Sequence, residues 1–328
     1  MLNKNKKIIA KLKTAELLGR GGANFPTHLK WQMVLSAPAK KKYIVANGSE
    51  GEPNTSKDGF ILANYPAKLI AGIKIALDTF ENSEAYIYLR KDYYKKYKLK
   101  LEKLIGRLPI TVFKEAGGYL SGEETTLCQE IEGQIHRPRI KPPFPSQAGI
   151  FGLPTLINNI ETFYCIAQID RNQYKKTRFY TISGQAKHPG VFELPLGLTI
   201  KQVLEKTNNW PSFNFFLQVG GGASGEIFLP SELDKPVEGS GSIVIYNKDK
   251  TDPWVLMRQW IDFFMDQNCD KCTPCREGTY RLLQMIKDRQ FDEKALDDLL
   301  FVLEHTSFCA LGKMVVMPFR SAVDKLLK

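Results

Sequence analysis

Four cysteines near the end of the chain have the spacing of ligands for a metal cluster. Cys269, Cys272 and Cys275 are each separated by two residues, and Cys309 stands alone beyond a helical stretch. Four thiolates complete the shell of a cubane iron–sulfur cluster, because a short loop can supply three of them and a distant residue the fourth. A structural zinc and a disulfide pair are the alternatives. Zinc ligands usually come as two separated pairs, so this spacing favours a [4Fe–4S] cluster.

A glycine-rich segment at 19–31 has the composition of an anion-binding loop. It leads into a predicted helix and contains Gly19, Arg20, Gly21, Gly22 and Lys30. Glycines let backbone amides approach an anion closely, and the helix N-terminus adds positive potential, so a phosphate is the expected ligand. A tight turn that packs the helix against a sheet is the alternative. Asn24 stands where the dinucleotide-binding fingerprint has its third glycine.

A literal G-x-G-x-x-G occurs at 220–225. The dinucleotide fingerprint needs a following helix and an acidic residue about twenty positions later. The residues at 226–230 instead have the pattern of an extended segment. We therefore expect a flexible loop here and no nucleotide site.

Two pairs of carboxylates, Glu50 with Glu52 and Glu123 with Glu124, follow predicted strands. Paired carboxylates could perform acid–base chemistry or hold a metal. The sequence Gly-Glu-Glu-Thr-Thr at 122–126 is also typical of a favourable helix N-terminus, and in isolation that interpretation is preferred. The four histidines lack metal-ligand spacing and no nucleophile motif is present, so hydrolytic catalysis has no support.

The first 170 residues alternate between strand and helix patterns. Apolar periodicity predicts strands at 43–46, 85–89 and 110–113, with helices at 66–80 and 92–105. This βαβαβ order predicts a parallel sheet covered by helices. Ligands of such sheets bind beyond the carboxyl ends of the strands, which makes the loops at 47–53 and 116–124 the main site candidates.

Two further regions follow the predicted parallel sheet. Short β-like runs separated by glycine and proline continue to about residue 248, and four helical patterns follow at 253–267, 277–288, 292–305 and 313–327. We predict three domains: an α/β domain at 1–172, a small β-rich domain at 173–248 and a helical domain with the cysteine loop at 249–328.

The bulk composition narrows the function classes. The net charge is +11, but the lysine-rich run at 91–101 has the pattern of a solvated helix face and no common nucleic-acid motif is present. We therefore expect no nucleic-acid partner, and acidic proteins or anionic ligands instead. No apolar run is long enough to span a bilayer or form a signal peptide, which predicts a cytoplasmic protein.

Taken together, these segments closely resemble the flavin- and NADH-binding subunit of respiratory complex I, a subunit type that soluble hydrogenases and formate dehydrogenases use as a diaphorase. The resemblance runs in order along nearly the whole chain. It rests mainly on Gly-Arg-Gly-Gly-Ala at 19–23, Glu-Gly-Glu-Pro at 50–53, Gly-Glu-Glu-Thr at 122–125, Asn-Asn-Ile-Glu-Thr at 158–162, Cys-Thr-Pro-Cys-Arg-Glu-Gly at 272–278 and Ser-Phe-Cys at 307–309.

The resemblance implies a Rossmann-like FMN domain, a ubiquitin-like β-grasp module and a four-helix bundle that carries a [4Fe–4S] cluster. It assigns to FMN the residues Gly19, Arg20, Gly21, Gly22, Lys30, Asn47, Glu50, Gly122, Glu123, Asn158, Asn159 and Thr162. It assigns to NADH the residues Phe25, Phe144, Glu52, Glu124 and Lys141, and to the cluster the four cysteines named above. Glu52 near the adenosine ribose would repel a 2′-phosphate and favour NADH over NADPH.

The resemblance also implies a mechanism and partners. NADH delivers two electrons together, an iron–sulfur cluster accepts one at a time, and FMN can do both. No side chain need act as acid or base. The implied partners are a [2Fe–2S] thioredoxin-like subunit and a large iron–sulfur subunit, which would hold the protein peripherally at the inner face of the cell membrane without direct membrane insertion.

Four positions depart from the family pattern. Asn24 replaces a usual glycine, Gly48-Ser49 replaces a usual Ala-Asp, and Met33 stands where an aromatic is common. Asn24 should be structurally mild, since asparagine tolerates left-handed backbone. Loss of the aspartate removes a charge near the flavin, which leaves open an alternative function as an electron-relay or scaffolding subunit that no longer oxidises NADH. A diaphorase role in a hydrogenase or formate dehydrogenase is a further alternative.

Overall fold

The computed structural model describes residues 2–328, with side chains from Lys7 onward. Contacts divide the chain into two compact units. The first contains Met1–Gly51 and Ser56–Phe179, and the second contains Glu52–Thr55 and Tyr180–Lys328. The division into three domains stays a prediction.

A four-stranded parallel sheet forms the centre of the first unit. Its strands are β1 (Lys42–Gly48), β2 (Ser83–Leu89), β3 (Ile110–Lys114) and β4 (Thr155–Asn159), in the order β3-β2-β1-β4. The three strands predicted from the sequence and their parallel arrangement are confirmed. Strand β4 was not predicted, because its five residues end in two asparagines and show no extended apolar run.

Eight helices accompany this sheet in the described part of the first unit. They are α1 (Leu2–Thr14), α2 (Thr27–Ser36), α3 (Lys57–Asn64), α4 (Pro66–Thr79), α5 (Lys91–Ile105), α6 (Glu124–Ile131), α7 (Pro145–Ala148) and α8 (Ile160–Asp170). Helix α5 buries Tyr97, Leu101 and Ile105 on one face while most of its lysines are exposed, as the sequence predicts for a solvated helix. Helix α4 lies against α8, where Gly72 leaves no room for a side chain: a Cβ there would lie 2.0 Å from the Phe163 carbonyl oxygen.

The strand order creates a crevice at one end of the sheet. From β1 the chain proceeds to β2 and β3 on one side and later returns to β4 on the other. Parallel sheets bind ligands where the strand order reverses in this way. The residues at the carboxyl ends of β1 and β4, which include Asn47 and Asn159 in direct register, therefore define the candidate site.

A mixed five-stranded sheet belongs mainly to the second unit. Its strands are β5 (Thr177–Gly184), β6 (Gly190–Pro195), β7 (Phe215–Val219), β8 (Glu226–Phe228) and β9 (Ser242–Asn247), in the order β6-β5-β9-β7-β8. Strands β5 and β9 are parallel, and β7 is antiparallel to both of its neighbours. Helix α9 (Ile200–Lys206) packs its buried Ile200, Val203 and Leu204 into the core of this sheet.

Five helices complete the second unit: α10 (Pro253–Asp266), α11 (Thr273–Asp288), α12 (Glu293–Thr306), α13 (Ala310–Met314) and α14 (Val316–Ala322). The last helical pattern of the sequence is therefore divided into α13, α14 and a terminal wide helical turn at Val323–Leu327. Helix α14 also packs on β8, where Ser321 accepts a hydrogen bond from the Ile227 amide at 3.0 Å. The helices and the mixed sheet consequently belong to one compact unit.

Throughout residues 2–328 we find no single helix with the length and apolar character needed to cross a membrane. The pair α3 and α4 meets those criteria only when combined, and it is bent by 96°.

Candidate functional site

The glycine loop lies against the start of α8. The Arg20 amide donates a hydrogen bond to Thr162 Oγ1 at 3.0 Å, and a Cβ added at Gly21 would lie 3.6 Å from Asn159 Cβ. Gly22 and Asn24 adopt positive φ angles of 102° and 51°. Asn24 therefore takes up the left-handed backbone that the sequence predicts it to tolerate. The fold brings this loop to the carboxyl end of β4.

The loops after β1 and β3 also meet. Asn47 Nδ2 donates to the Gly122 carbonyl at 2.9 Å, and its Oδ1 accepts from the Ser49 amide at 3.1 Å. A Cβ at Gly122 would lie 3.0 Å from the Ser49 carbonyl oxygen, so a larger residue would press these two loops apart. Three of the segments assigned to FMN thus converge at one edge of the sheet.

A buried group of charged residues supports this edge, and sequence analysis did not select its members as site residues. Lys57 Nζ lies 2.8 Å from Asp58 Oδ1, 3.4 Å from Glu161 Oε2 and 3.0 Å from Asn159 Oδ1. Burial lowers the pKa of Lys57, but Asp58, Glu161 and Glu50 outweigh burial and raise it overall. Among Lys57, Asp58 and Glu161, only Glu161 stands in a segment named for the resemblance, Asn-Asn-Ile-Glu-Thr at 158–162, and the resemblance gave it no role.

Arg20 is the cation of the glycine loop, and it is 4% exposed. One terminal nitrogen donates to Tyr174 Oη at 2.9 Å, while Nε lies 4.0 Å from Glu161 Oε1. Within the described chain that Nε has no hydrogen-bond partner. A buried, unsatisfied N–H is a donor that an anion could satisfy, and with the adjacent glycine-rich backbone it is compatible with the phosphate of a flavin nucleotide.

Glu50 stabilises the start of α3. Its carboxylate accepts hydrogen bonds from the Asp58 amide at 3.1 Å, the Gly59 amide at 3.3 Å and Tyr93 Oη at 2.7 Å. Burial, together with the negative charge of Asp58, raises the pKa of Glu50 to about 7. The structure thus gives Glu50 a helix-capping role, and its contact with FMN stays a prediction.

Glu123 caps helix α6, as the preferred interpretation of the Gly-Glu-Glu-Thr-Thr segment expects. Its carboxylate accepts from the Thr125 and Thr126 amides, both at 2.9 Å, and lies 3.0 Å from Lys141 Nζ. Burial raises the pKa of Glu123, but Lys141 and the hydrogen bonds lower it overall. The neighbouring Glu124 pairs with Lys30 Nζ at 2.5 Å. Lysines and carboxylates that the resemblance divides between FMN and NADH therefore lie beside one another.

Asn158 connects β4 to helix α2. Its Oδ1 accepts a hydrogen bond from Trp31 Nε1 at 3.2 Å, and the side chain is buried. Lys30, on the same helix, donates to the Ile157 carbonyl at 3.1 Å. Helix α2 therefore positions Lys30 through two contacts with β4.

Phe25 and Phe144 are 40% and 51% exposed. Met33, at the position where the family often has an aromatic, is 47% exposed. Exposed aromatic faces can stack on a planar base. The two phenylalanines therefore fit the adenine contacts assigned to them, which remain predictions.

Glu52 belongs to the second unit, where the segment at 220–225 binds its carboxylate. Oε1 accepts from the Ala223 amide at 2.9 Å and from the Ser224 amide at 3.0 Å. Strand β8 follows this segment, as the extended pattern of the sequence predicts. The glycine segment is thus a carboxylate-binding loop between two strands, a role that sequence analysis missed.

The four cysteines predicted as cluster ligands lie at or just before the starts of two helices. Cys272 is the N-cap of α11, Cys275 lies in its first turn, and Cys309 is the N-cap of α13. Burial raises the pKa of Cys275 to about 12, with further contributions from Cys272, Cys309 and Cys269. Each of the other three thiols therefore lies within electrostatic reach of Cys275.

This donor set fits an iron–sulfur cluster. In the described part of the chain, no three His, Cys, Asp or Glu side chains are grouped to hold one metal ion. A four-iron cluster takes one thiolate per iron and spreads its ligands farther apart than a single ion does. Its iron would offset the repulsion between the four thiolates, and the helix N-termini favour the same negative charge.

Two family models match the chain and cover most of its length. The Nuo51 FMN-binding domain matches residues 12–168, and the NADH-ubiquinone oxidoreductase-F iron–sulfur binding region matches residues 255–326. The chain is therefore a protein of the class of flavin- and iron–sulfur-binding oxidoreductase subunits.

Curated relatives give the family. The NADH-quinone oxidoreductase F subunit of Streptomyces coelicolor is 34% identical, over 96% of this chain and 80% of the relative. The protein of the same name in Aquifex aeolicus is 32% identical, over 94% and 82%. The chain belongs to this family of NADH-quinone oxidoreductase F subunits, which confirms the resemblance inferred from the sequence.

Solved structures share the fold. A chain of an NAD⁺-reducing [NiFe]-hydrogenase superimposes with a TM-score of 0.91 in the air-oxidized state and 0.89 in the H₂-reduced state, at 28% and 27% identity. The match covers 99% of this chain but only 62% and 61% of the hydrogenase chain. The present chain thus spans about three fifths of the length of these neighbours.

Proposed function

We propose that this chain is the NADH-oxidising subunit of a multi-subunit NADH:acceptor oxidoreductase of the complex I type. The observation that carries the proposal is the convergence of the glycine loop, Asn47 and Gly122 at the carboxyl edge of β1 and β4. FMN bound there would exchange two electrons with a nicotinamide and single electrons with an iron–sulfur cluster.

The glycine loop binds the anionic end of the flavin nucleotide in this proposal. The Gly19 amide closes the loop by donating to the Phe25 carbonyl at 2.9 Å, which would leave the Gly21 and Gly22 amides for the phosphate, and Arg20 would supply formal charge. Thr162 fixes the loop through the Arg20 amide, and Asn159 holds the adjacent buried Lys57 and Asp58 in place. The burial of this charged group makes the edge rigid before a ligand binds.

Polar residues of α2, α6 and the following loop orient the two nucleotides. Lys30 and Glu124 form one pair, and Lys141 and Glu123 form another. Each lysine neutralises a carboxylate that would otherwise repel a phosphate. These groups position the reactants, and none is needed as a proton donor.

Phe25 and Phe144 supply the stacking surface for the adenine of NADH, and Glu52 favours a free ribose 2′-hydroxyl over a phosphate. Cys269, Cys272, Cys275 and Cys309 hold the [4Fe–4S] cluster. The partners we propose are a [2Fe–2S] thioredoxin-like subunit and a large iron–sulfur subunit. Through them the protein would lie in the cytoplasm against the inner face of the cell membrane.

An anaerobic titration tests the proposal. Purified protein, reconstituted with FMN, iron and sulfide, is titrated with NADH while its visible spectrum is recorded. We expect the flavin and cluster bands to bleach at stoichiometric NADH. Bleaching by dithionite but not by NADH would contradict the proposal and support the electron-relay alternative.

The hydrogenase neighbours favour a second candidate, a diaphorase subunit that exchanges electrons between NADH and a hydrogenase. The chemistry within this chain is then the same, and the parent assembly differs. Isolation of the native complex from its source distinguishes the two. NADH-dependent quinone reduction supports the complex I assignment, and H₂-dependent reduction of NAD⁺ supports the diaphorase.

A further inference from the structure

Ser307 is a buried residue whose hydroxyl lacks a partner. It is 5% exposed, and its Oγ makes no hydrogen bond to any described atom. Burial of an unpaired hydroxyl is unfavourable, and such groups are uncommon in native proteins. An orphaned donor of this kind indicates a partner that the polypeptide does not itself supply.

The unpaired hydroxyl differs from its neighbours in the same helical region. Thr306 Oγ1 donates to the Val302 carbonyl at 2.6 Å, and Thr279 Oγ1 donates to the Cys275 carbonyl at 2.8 Å. Both make the bond to a preceding turn that is common for Ser and Thr in helices. Ser307 follows the last residue of α12 in extended backbone, with φ −67° and ψ 138°, and makes no such bond.

Ser307 Oγ lies close to one of the cysteine ligands, Cys275. A Cβ added at Gly312 would lie 2.3 Å from Ser307 Oγ and 3.2 Å from Cys275 Cβ. Ser307 Oγ and Cys275 Cβ therefore lie beside the same point, and a side chain at position 312 would displace the hydroxyl. Cys309, two residues beyond Ser307, begins the helix that contains Gly312.

We propose that Ser307 donates its hydroxyl hydrogen to an inorganic sulfide of the iron–sulfur cluster. This inference rests on the proposed function and adds a residue that tunes the cluster's reduction potential. Reduction places more negative charge on the cluster sulfurs, and a donated hydrogen bond stabilises that charge. The hydroxyl therefore raises the reduction potential.

The test is an EPR-monitored redox titration of the reconstituted protein. Ser307→Ala removes the hydroxyl, Ser307→Thr retains it, and Thr306→Val removes an adjacent hydroxyl that is already paired with backbone. We expect Ser307→Ala to shift the redox equilibrium toward the oxidised cluster by about tenfold, which is about 59 mV for a one-electron couple. Ser307→Thr and Thr306→Val should keep a potential near that of the wild type.

An unchanged potential in Ser307→Ala, with four irons still bound, overturns the inference. Equal shifts in Ser307→Ala and Thr306→Val would also overturn it, because they would indicate a general effect of hydroxyl loss. If Ser307→Ala fails to take up iron, Ser307→Gly serves as the second hydroxyl-free variant. Failure of the wild-type protein to bind iron and sulfide would instead refute the proposed function.

Discussion

Ser49 Oγ donates a hydrogen bond to Glu115 Oε2 at 2.5 Å and so joins the loop after β1 to the residue that follows β3. Ser49 stands where the family usually has an aspartate. Glu115 is 6% exposed; burial raises its pKa, while the Ser49 hydrogen bond lowers it and the Glu130 charge raises it further. Glu115 therefore places a carboxylate next to Ser49, close to where the aspartate of the family would have its own.

Replacement of Glu115 by Gln should raise the reduction potential of bound FMN. Loss of a nearby negative charge stabilises the electron-rich form, and we expect an effect of about 1.4 kcal/mol, or about 30 mV for a two-electron couple. Spectroelectrochemical titration measures this shift. Ser49→Ala is the control, because it keeps the carboxylate and removes only its hydrogen bond.

Ser49→Asp extends the same test. Alone, it places a second carboxylate against Glu115, and like-charge repulsion should weaken FMN binding. The double variant Ser49→Asp/Glu115→Gln should recover most of that loss. If the double variant binds FMN no more tightly than Ser49→Asp, a carboxylate at position 49 does not substitute for the one at position 115.

Gly221→Ala should displace Glu52. The new Cβ would lie 2.3 Å from Glu52 Oε1 and 2.5 Å from its Cδ, both at the end of a flexible side chain. The fold can adjust, but the carboxylate must move. We expect a several-fold rise in activity with NADPH relative to NADH. Glu52→Gln, which removes the charge of the same carboxylate, should give a similar rise.

Steady-state kinetics with both nucleotides measures that ratio. Glu238→Gln is the control, because it removes an exposed carboxylate of the same unit. The combination Gly221→Ala/Glu52→Gln should give little more than either change alone, since both act on one carboxylate. Additive effects of the two changes, or an unchanged ratio of NADPH to NADH activity in Glu52→Gln, would show that Glu52 does not determine nucleotide specificity.

Cys309→Ser should abolish the EPR signal of the reduced cluster and leave FMN bound. Cys309 and the flavin loops belong to different compact units, so loss of one ligand should not unfold the other site. EPR and flavin fluorescence after ultrafiltration measure the two cofactors. Cys128→Ala, which alters a buried thiol of the first unit, should retain the cluster. Simultaneous loss of both cofactors in a folded Cys309→Ser protein would contradict this independence.

Glu50 should make the apoprotein less stable as the pH rises. Its pKa is about 7 in the folded chain, against an ordinary value of 4.5, so the folded state binds more protons between these values. The stabilisation is fully present below pH 4.5 and is lost as the pH rises through 7. The change is up to about 3 kcal/mol at 1.36 kcal/mol per pKa unit.

Denaturant unfolding at pH 5 and pH 8 tests this relation. Glu50→Gln cannot ionise, so its unfolding free energy should change less between the two pH values than that of the wild type. Because the charges of Glu50 and Asp58 interact, the difference between the two proteins reports the titration of this carboxylate pair. Parallel pH profiles would show that Glu50 is ionised throughout.

Local patterns in the sequence determined much of the fold and part of the site. Apolar periodicity predicted β1, β2 and β3, because burial on a sheet or helix face repeats at a fixed interval. The spacing of Cys269, Cys272 and Cys275 indicated cluster ligands, because one short loop with this spacing can supply three thiolates to the same cluster. The Gly-Glu-Glu-Thr-Thr segment indicated a helix start, because Glu123 caps amides only two and three residues away.

Only the tertiary structure decided which distant groups meet. Ser49 and Glu115 are 66 residues apart, and Glu52 lies 171 residues from the Ala223 amide that binds it. Such pairs follow from how strands and helices pack, and no local repeat encodes them. For the same reason, the sequence displayed Ser307 next to Cys309 but could not show that its hydroxyl is buried, unpaired and close to Cys275.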